Sequence, residues 1–312
     1  MKQVRREQFT FRFAADVPPV LTVEPGEMIA MESYDTTLGR VRRPEDVHTY
    51  AKDRDPHKVN PAAGPVYVAG AEPGDTLVVE ILAIELDAEG SLRIMPGGMG
   101  VLAGEVEAPY CRIVRVEGDR IVFDAGPESA RGGGEPRPSG PILSFPARPM
   151  VGVVATAPAA GEITTAMPGD VGSNMDHADI TVGTKVYLPV QVRGALFGVG
   201  DLHASMGDGE VTGNAVEIGG RTTVRVDLIK GRQWARPWLE TETDWMTTAT
   251  GPTLEAAIKV AVRDMVALLA ERLGVSREDA YLLVSATGDV RIGQACGGLP
   301  PTVRVKFPKL GR

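Results

Sequence analysis

Short runs of alternating apolar and polar residues, separated by glycine- and proline-containing turns, recur along the chain and limit the folds open to it. In the most regular run, residues 186–192, four apolar side chains alternate with Tyr187, Pro189 and Gln191. A period of two is typical of a half-buried β-strand, and the proline favours a sheet edge or a bulge. The 37 glycines and 24 prolines among 312 residues exceed average usage, which is roughly 12% for the two together. We therefore predict many short strands joined by tight turns.

Further strands and turns are predicted on both sides of this run. Residues 76–85 form an apolar, β-branched segment that follows a Pro-Gly-Asp turn sequence. Residues 111–116 and 120–123 flank Glu-Gly-Asp, which is typical of a hairpin. The Gly-Gly pair at 219–220 precedes another alternating run and predicts a second hairpin. These turns favour antiparallel pairing.

Helices are predicted only towards the C-terminus. The apolar residues of the first helix recur every three or four positions: Leu254, Ile258, Val262, Met265, Leu269 and Leu273. Thr253 and Gly274 are typical start and stop signals for this helix. Ser276 and Asp279 form the capping-box pattern of a shorter second helix. The predicted fold class is α+β and mostly β, with antiparallel β-sandwich or barrel-like sheets and helices near the C-terminus.

The chain is predicted to form one unit over residues 1–312, which is long enough to bury a large core. An alternative division gives two β-rich halves, about 1–145 and 146–312. Residues 126–141 contain much Gly and Pro and no periodicity, so an exposed loop is predicted there.

Charge and composition exclude several classes of protein. Forty-one acidic against 33 basic residues give a net charge of −8, so nucleic acid is not expected as a partner. No apolar run approaches the roughly 18 residues of a membrane helix, and the basic N-terminus lacks the apolar segment of a signal peptide. Two cysteines, Cys111 and Cys296, do not make a disulfide framework. We expect a cytoplasmic protein.

Side chains that can bind a metal ion are concentrated in two segments on either side of the strand at 186–192. Asp201 and His203 are two residues apart, so in an extended strand both lie on one face of the sheet. A carboxylate beside an imidazole can supply two ligands to a divalent cation. Asn174 and Asp176 have the same spacing and offer oxygen ligands.

Asp208 and Glu210 flank a glycine in a turn that can return a carboxylate to the same place. Between residues 174 and 210, acids and histidines outnumber the two basic residues, Lys185 and Arg193. Uncompensated acids are most readily held together by a cation. The plainer alternative also stands, because acidic glycine turns are often only turns and Asn and Asp side chains often cap backbone groups.

Other catalytic motifs have little support. Neither a phosphate-binding loop nor a dinucleotide fingerprint is present in the sequence. Cys296 precedes Gly-Gly and is a candidate nucleophile, but no base lies next to it in sequence, and a free cysteine is often a small buried residue.

Five segments carry a resemblance to a known family: 60–77 (NPAAGPVYVAGAEPGDTL), 149–155 (PMVGVVA), 172–176 (GSNMD), 188–197 (LPVQVRGALF) and 200–211 (GDLHASMGDGEV). In this order, they resemble the motifs of the acetamidase/formamidase family. The resemblance implies a mostly β amidohydrolase that cleaves formamide, acetamide or similar short amides. It also implies metal dependence and a homo-oligomer, a dimer or higher.

The resemblance implies site positions as well. The residues at the family's polar motif positions are Asn174, Asp176, Asp201, His203 and Glu210. Asp35 resembles the family's N-terminal acidic position. The sequence departs from the family pattern at Ser205-Met206, where Ala-Gln is more common, and at His177. Both departures can reshape the substrate pocket.

The first hypothesis is metal-assisted amide hydrolysis. The expected metal ligands are Asp35, Asn174, Asp176, Asp201 and His203. Zinc is the expected ion because it accepts both nitrogen and oxygen ligands. Glu210 is expected to take a proton from the attacking water and deliver it to the leaving amine, with Asp208 as the second catalytic candidate.

Two alternatives remain open at this point. In one, Cys296 is the nucleophile of the amidase and the metal is structural. In the other, the chain is a β-rich module that binds calcium in its acidic turns and catalyses nothing. An oxygen-rich site suits calcium, whereas His203 does not.

Overall fold

The computed structural model describes residues 1–98, 100–125 and 140–311. Its strands are β1 (Lys2–Val4), β2 (Phe9–Thr10), β3 (Arg12–Ala14), β4 (Leu21–Val23), β5 (Met28–Ser33), β6 (Ala62–Val68), β7 (Thr76–Ile94), β8 (Tyr110–Glu117), β9 (Arg120–Asp124), β10 (Ile142–Pro146), β11 (Met150–Ala155), β12 (Glu162–Thr164), β13 (Pro168–Gly169), β14 (Gly172–Asn174), β15 (Lys185–Pro189), β16 (Phe197–His203), β17 (Glu217–Ile229), β18 (Trp238–Glu240), β19 (Asp244–Thr250), β20 (Asp289–Ile292) and β21 (Thr302–Pro308). Its helices are α1 (Asp46–Asp53), α2 (Leu254–Leu273) and α3 (Arg277–Thr287), with a 3₁₀ turn at Ala103–Glu105. Within the described ranges, none of the helices has the length and apolar character needed to cross a membrane.

A large sheet with mostly antiparallel pairing forms the body of the protein. β17 pairs with β7 along one edge and with β5 along the other, and β7 continues to β8 and β15. The pairings of β1 with β5 and of β4 with β6 are parallel. The predicted fold class, α+β and mostly β with antiparallel sheets, is confirmed. Because β17 pairs with β5 and β7, strands from both proposed halves of the chain lie side by side, and the division near residue 145 stays a prediction.

Alternation along β17 determines which of its faces is buried. Val224 and Val226 have no exposed surface, whereas the guanidinium of Arg225 lies outside, 2.7 Å from the carboxylate of Glu80 on β7. A slip of one residue would expose the valines and bury the arginine, so the register is strongly specified. This register also determines the position of Glu217, the first residue of β17.

The predicted hairpin at Gly219 and Gly220 is wrong, because both glycines lie inside the continuous strand β17. The pairing with β7 shifts by two residues between Ile218 and Gly220, which marks an irregularity of the bulge type. A Cβ at Gly220 would lie 2.3 Å from the carbonyl oxygen of Glu85 on β7. The glycine pair therefore permits a close approach of two backbones rather than a reversal of the chain.

Several other local predictions agree with the structure. The hairpin of residues 111–123 is observed as β8 and β9, which pair antiparallel. The strand predicted at 76–85 is observed, but as β7 it extends to Ile94 because it pairs with both β17 and β8. The strand predicted at 186–192 ends at Pro189, which cannot donate to a further ladder bond. Most of the loop predicted at 126–141 lies outside the described residues.

The two helices predicted near the C-terminus are observed, and both pack against strands of the sheet. The Thr253 side chain accepts a hydrogen bond from the backbone N–H of Ala256, and Gly274 ends α2 with φ of 67°. Ser276 Oγ accepts from the N–H of Asp279, 3.0 Å away, and caps α3. The apolar face of α2 packs on β19 and β21. The short helix α1 packs beside β8 and was not predicted, because eight residues are too few for a clear periodic signal.

We predict that Gly220→Ala lowers the free energy of unfolding by about 2–3 kcal/mol, because the new methyl group overlaps the backbone of β7. Urea denaturation of the purified protein measures this loss. Gly104→Ala is the matched control, because a Cβ at Gly104 meets no atom within 4 Å. Equal losses in the two variants would contradict this account of the glycine pair.

Candidate active site

Five ionisable side chains meet in the interior of the protein, at the junction of β16, β17 and two loops. These residues are Asp176, Asp201, His203, Glu210 and Glu217, and all five are buried. We call them the acidic cluster. Four carboxyl groups and one imidazole in one buried place require compensation by protons or a cation.

Two neighbouring strands supply three members of the cluster. Asp201 and His203 lie on β16, and their side chains share a face, with 3.5 Å between Asp201 Oδ1 and His203 Nε2. Glu217 is the register partner of His203 across the β16–β17 pair, and its Oε1 is also 3.5 Å from His203 Nε2. One imidazole nitrogen therefore lies close to two carboxylates.

The loops after β14 and β16 supply Asp176 and Glu210. Both residues have positive φ, 46° and 41°, as does Asp201 within its strand at 57°. Residues other than glycine rarely adopt this backbone conformation, and such strain concentrates at functional sites. The backbone is bent here so that the carboxyl groups point inward instead of following the alternation of a regular strand.

Gly152 on β11 makes room for the cluster. A Cβ at this position would lie 2.5 Å from Asp176 Oδ1 and 2.6 Å from Asp201 Oδ2. Only a glycine lets the two carboxylates approach β11 so closely, because any side chain would occupy the same space.

The cluster contains two overlapping sets of potential metal ligands. Asp176, His203 and Glu210 form one set, and Asp201, His203 and Glu217 form the other. In each set, one ligand atom of every residue lies within 4.8 Å of the others. Several cluster atoms lack a hydrogen-bond partner among the described residues: Asp176 Oδ1, Asp201 Oδ1, Glu217 Oε2 and both nitrogens of His203.

Two asparagines lie beside the acidic cluster, and one of them contacts a carboxylate. Asn60 donates through Nδ2 to Asp201 Oδ2 at 3.0 Å and to Asn174 Oδ1 at 3.2 Å. Its own Oδ1 accepts from the hydroxyl of Thr36. Asn174, a predicted ligand, uses its Nδ2 to donate to the carbonyl oxygen of Ala166 at 3.3 Å. Asn174 thus lies beside the cluster with both ends of its amide engaged.

Burial and mutual repulsion shift the pKa values of the cluster. Burial raises the pKa of Asp176 to about 8, and the charge of Asp201 adds to the rise. The pKa values of Asp201 and Glu210 are also raised, again chiefly by burial. Three of the four carboxyl groups therefore hold protons more strongly than they would in water.

His203 and Glu217 behave as an ion pair. Burial opposes protonation of His203, but the charges of Glu217 and Asp201 outweigh it and hold the histidine pKa well above its ordinary value. Burial also opposes ionisation of Glu217, yet His203 lowers the pKa of this carboxyl below its usual value. The guanidinium of Arg93 also favours ionisation of Asp201 and Glu217, but this group and one imidazolium cannot compensate four carboxylates, so the cluster lacks positive charge when all four are ionised.

Besides Asn174, two predicted site residues lie outside the ligand sets. Asp35 accepts through Oδ1 from the N–H and hydroxyl of Thr37, at 2.7 and 2.5 Å, and so closes its own turn. Asp208 is partly exposed, and its Oδ1 accepts from Nη2 of Arg304 at 2.8 Å. The Asp35 carboxylate thus accepts hydrogen bonds within its own turn, and the Asp208 carboxylate pairs with a guanidinium. Neither faces the carboxylates of the acidic cluster.

Cys296, the alternative nucleophile, is buried, and its thiol lies 3.6 Å from Gln294 Oε1. Burial raises the pKa of this thiol to about 12, and the charges of Glu210 and Asp176 contribute. At neutral pH the sulfur is therefore protonated and lacks the nucleophilic thiolate form.

The residues that depart from the family pattern do not line the cavity next to the cluster. Met206 packs with Met150 and Ala215 in a small apolar group. His177 is fully buried, and burial followed by the charge of Arg304 lowers its pKa to about 3, so its ring is neutral.

Sequence reasoning missed Glu217 and Asn60. Glu217 lies 14 residues from His203 and was placed next to a supposed hairpin, so its pairing with β16 was hidden. Asn60 begins a quoted motif but was not singled out. Its left-handed φ of 55° and its contact with Asp201, 141 positions away, appear only in three dimensions.

A small cavity of about 60 Å³ opens onto the cluster. Its polar wall includes Asp176, Asp201, Glu210 and Glu217 together with the basic Arg54 and Arg93, and its apolar wall includes Tyr50, Val59, Met95 and Leu299. A small lining that combines charged and apolar side chains suits a small molecule with a polar end and a short apolar end.

Comparisons with known proteins agree with this architecture. An acetamidase from Bacillus halodurans, solved as a crystal structure, is 35% identical, with a TM-score of 0.86 over 98% of this chain and 97% of that one. The acetamidase of Mycolicibacterium smegmatis is 27% identical over 277 residues, and the formamidase of Methylophilus methylotrophus is 28% identical over 271. Each alignment covers 70% of this chain, but only 66% and 63% of those two relatives.

A family model covers nearly the whole chain. The model of the Acetamidase/Formamidase family matches residues 1–161 and 147–305, which include every member of the acidic cluster. The chain belongs to the Acetamidase/Formamidase family.

Proposed function

We propose that the protein hydrolyses short aliphatic amides, such as formamide and acetamide, to a carboxylate and ammonia, and that it uses a divalent metal ion, most suitably zinc. The observation that carries this proposal is the buried acidic cluster beside a small cavity, in a chain of this family. The relatives named above are an acetamidase and a formamidase, which supports the choice of substrates.

The residues of the cluster fit a divalent cation. The unpartnered oxygens of Asp201 and Glu217 and the unpartnered Nε2 of His203 are buried polar atoms that a cation would satisfy, with the ion displacing the proton that His203 holds in its absence. The 3.5 Å separations around His203 Nε2 are close to the roughly 3.3 Å expected between ligands of a tetrahedral zinc ion. The charge of a divalent ion would also offset the repulsion within the cluster.

We assign Asp201, His203 and Glu217 to hold the ion, because both carboxylates approach the same imidazole nitrogen. When bound, the ion supplies Lewis acidity, which polarises a carbonyl and favours ionisation of water at neutral pH. Asn60 holds the Asp201 carboxylate in place by its hydrogen bond. The imidazole favours zinc over calcium, because calcium prefers oxygen ligands.

Glu210 acts as the proton carrier in this proposal. It lines the cavity and is almost completely buried, and its raised pKa suits a group that accepts a proton from water and then donates it. The water oxygen adds to the carbonyl carbon as its proton passes to Glu210. The C–N bond of this tetrahedral adduct breaks when Glu210 delivers the proton to the nitrogen, so that ammonia leaves. The carboxylic acid then loses its own proton to give the carboxylate. The partly exposed Asp208 has no direct part in these steps.

The cavity limits the length of the acyl group. Its apolar wall and its volume of about 60 Å³ suit a hydrogen or a methyl group on the carbonyl carbon better than a long chain or a ring. We also propose, from the family resemblance alone, a homo-oligomer in the cytoplasm. The two buried free cysteines are compatible with a reducing compartment.

We predict ammonia release from formamide and acetamide that exceeds the release from hexanamide at least 100-fold in kcat/KM. The physical reason is the short apolar wall of the cavity. A strong chelator should abolish the release, and zinc should restore it. Turnover that survives prolonged chelation with no metal left by elemental analysis would contradict the metal requirement.

We predict that Glu210→Gln lowers kcat by about 10²–10⁴ while zinc remains bound, because the variant keeps the shape but loses the proton carrier. Steady-state kinetics and metal analysis of the same sample test this. Cys296→Ala is the control and should keep kcat within about twofold of the parent. Loss of zinc together with activity in Glu210→Gln would instead make Glu210 a ligand.

We predict that, in chelator, the free energy of unfolding falls as the pH rises from 5 to 8. The folded state keeps the Asp176 proton up to a pH of about 8, whereas the unfolded chain releases it near pH 4. Because the folded state binds more protons over this interval, a rise in pH favours unfolding. Denaturation midpoints at several pH values measure the slope.

Asp176→Asn should flatten this pH dependence, because the amide is neutral at every pH. Asp53→Asn, at the exposed end of α1, is the matched control and should keep the parent slope. A slope in Asp176→Asn equal to that of the control would mean that Asp176 does not take up the proton.

A further inference from the structure

The strand β21 has one apolar face and one polar face. Val303, Val305 and Phe307 belong to the apolar layer that α2 covers. Thr302, Arg304 and Lys306 alternate with them, so they point the other way, towards the loops of the acidic cluster. An arginine that is only 1% exposed in the middle of such a strand needs partners.

Arg304 has two carboxylate partners from separate loops. Its Nε donates to Asp179 Oδ2 at 2.5 Å, and its Nη2 donates to Asp208 Oδ1 at 2.8 Å. Lys306 shares Asp179, at 3.2 Å, and reaches Asp244 on β19, at 3.4 Å. Arg304 thus bridges the two loops.

Each partner of Arg304 lies close in sequence to a member of the acidic cluster. Asp179 follows Asp176 by three residues, and Asp208 precedes Glu210 by two. Asp176 and Glu210 both have left-handed backbone, which local sequence preference does not maintain. Their conformations therefore depend on contacts that anchor the loops on each side.

Backbone contacts from the segment before β21 act in the same direction. The N–H of Gly209 donates to the carbonyl oxygen of Gly293 at 2.9 Å, and the N–H of Ala295 donates to that of Gly209 at 2.9 Å. Thr302 Oγ1 donates to the carbonyl oxygen of Met175 at 2.7 Å. The polar face of β21 and the segment that leads into it thus hold both loops of the cluster.

A lysine could not replace Arg304. The guanidinium donates from separate nitrogens in a planar fork, so it can hold two carboxylates in fixed directions, whereas an ammonium is a single point of charge. The cost of desolvating a buried ion pair largely cancels its attraction, so the pair adds little to the free energy of unfolding. Its benefit lies in the fixed geometry that it gives to the two loops.

We propose that Arg304 is a positioning residue of the active site: by holding Asp179 and Asp208 together, it sets the position of Glu210 relative to Asp176. The expected effect of Arg304 on the rate rests on the proposed amide hydrolysis, whereas its expected effect on how well the loops are ordered does not. Neither Arg304 nor Asp208 lines the cavity, so the substrate does not touch them.

The experiment compares Asp208→Asn, Arg304→Lys and the double variant with the parent, each as zinc-loaded protein acting on formamide. Each single variant should lower kcat at least tenfold and change KM less than threefold. The kcat of the double variant should be within threefold of the kcat of the slower single variant, because both single changes break the same contact between Arg304 and Asp208. Asp208 is partly exposed, so Asp208→Asn should fold even if Arg304→Lys does not.

Hydrogen exchange of the same proteins supplies a readout that does not need activity. In Asp208→Asn, amides of residues 208–210 should exchange at least tenfold faster, whereas those of α2 should not change. Lys306→Met is the matched control: it removes a cation from Asp179 on the same strand face and leaves Asp208 paired, so kcat should stay within twofold.

Unchanged exchange at 208–210 in Asp208→Asn would overturn the proposal, and so would faster exchange with an unchanged kcat. Equal losses of kcat in Lys306→Met and Asp208→Asn would also overturn it, because the loss of any charge in this region would then be enough to lower kcat. If the parent releases no ammonia from formamide, the proposed function fails, and the exchange rates alone decide whether Arg304 holds the loop.

Discussion

Mutual repulsion among four carboxyl groups buried around one imidazole is the constraint on which the rest of the structure depends. Isolated charges in a protein interior raise the free energy of the folded state. The acidic cluster therefore persists only where the surrounding backbone fixes the positions of its side chains. The β16–β17 pairing places His203 opposite Glu217, and the rest of the sheet fixes that register. A cation at this point would turn this unfavourable repulsion into a favourable interaction.

Strands of the sheet supply three members of the acidic cluster, and loops supply the other two. Asp201 and His203 share one face of β16 although the backbone of Asp201 is left-handed, and Asp176 and Glu210 likewise need bent backbone that alternation cannot provide. Small residues and fixed polar partners make the bends tolerable. Gly152 leaves the space that two carboxylates occupy, and Asn60 and Arg304 orient groups near them from distant parts of the chain.

Sequence patterns predicted those parts of the molecule that depend on neighbouring residues. The mostly β fold, α2 with its caps and the shared face of Asp201 and His203 all follow from periodicity and turn chemistry. Glu217 could not be found in this way, because its place depends on a register between strands. The error at Gly219 and Gly220 has the same origin: local chemistry predicted a turn, and the close approach of a distant strand decided otherwise.

The long separations in the chain between the groups that form the site also bear on how the protein folds. Arg304 and Asp179 are 125 positions apart, and Asn60 and Asp201 are 141 apart. Contacts of such high order form slowly and late, because the entropy of closing long loops must be lost first. A partly folded chain would therefore lack the site altogether, and a cation that recognises the assembled cluster would bind only the fully folded state and shift the folding equilibrium towards it.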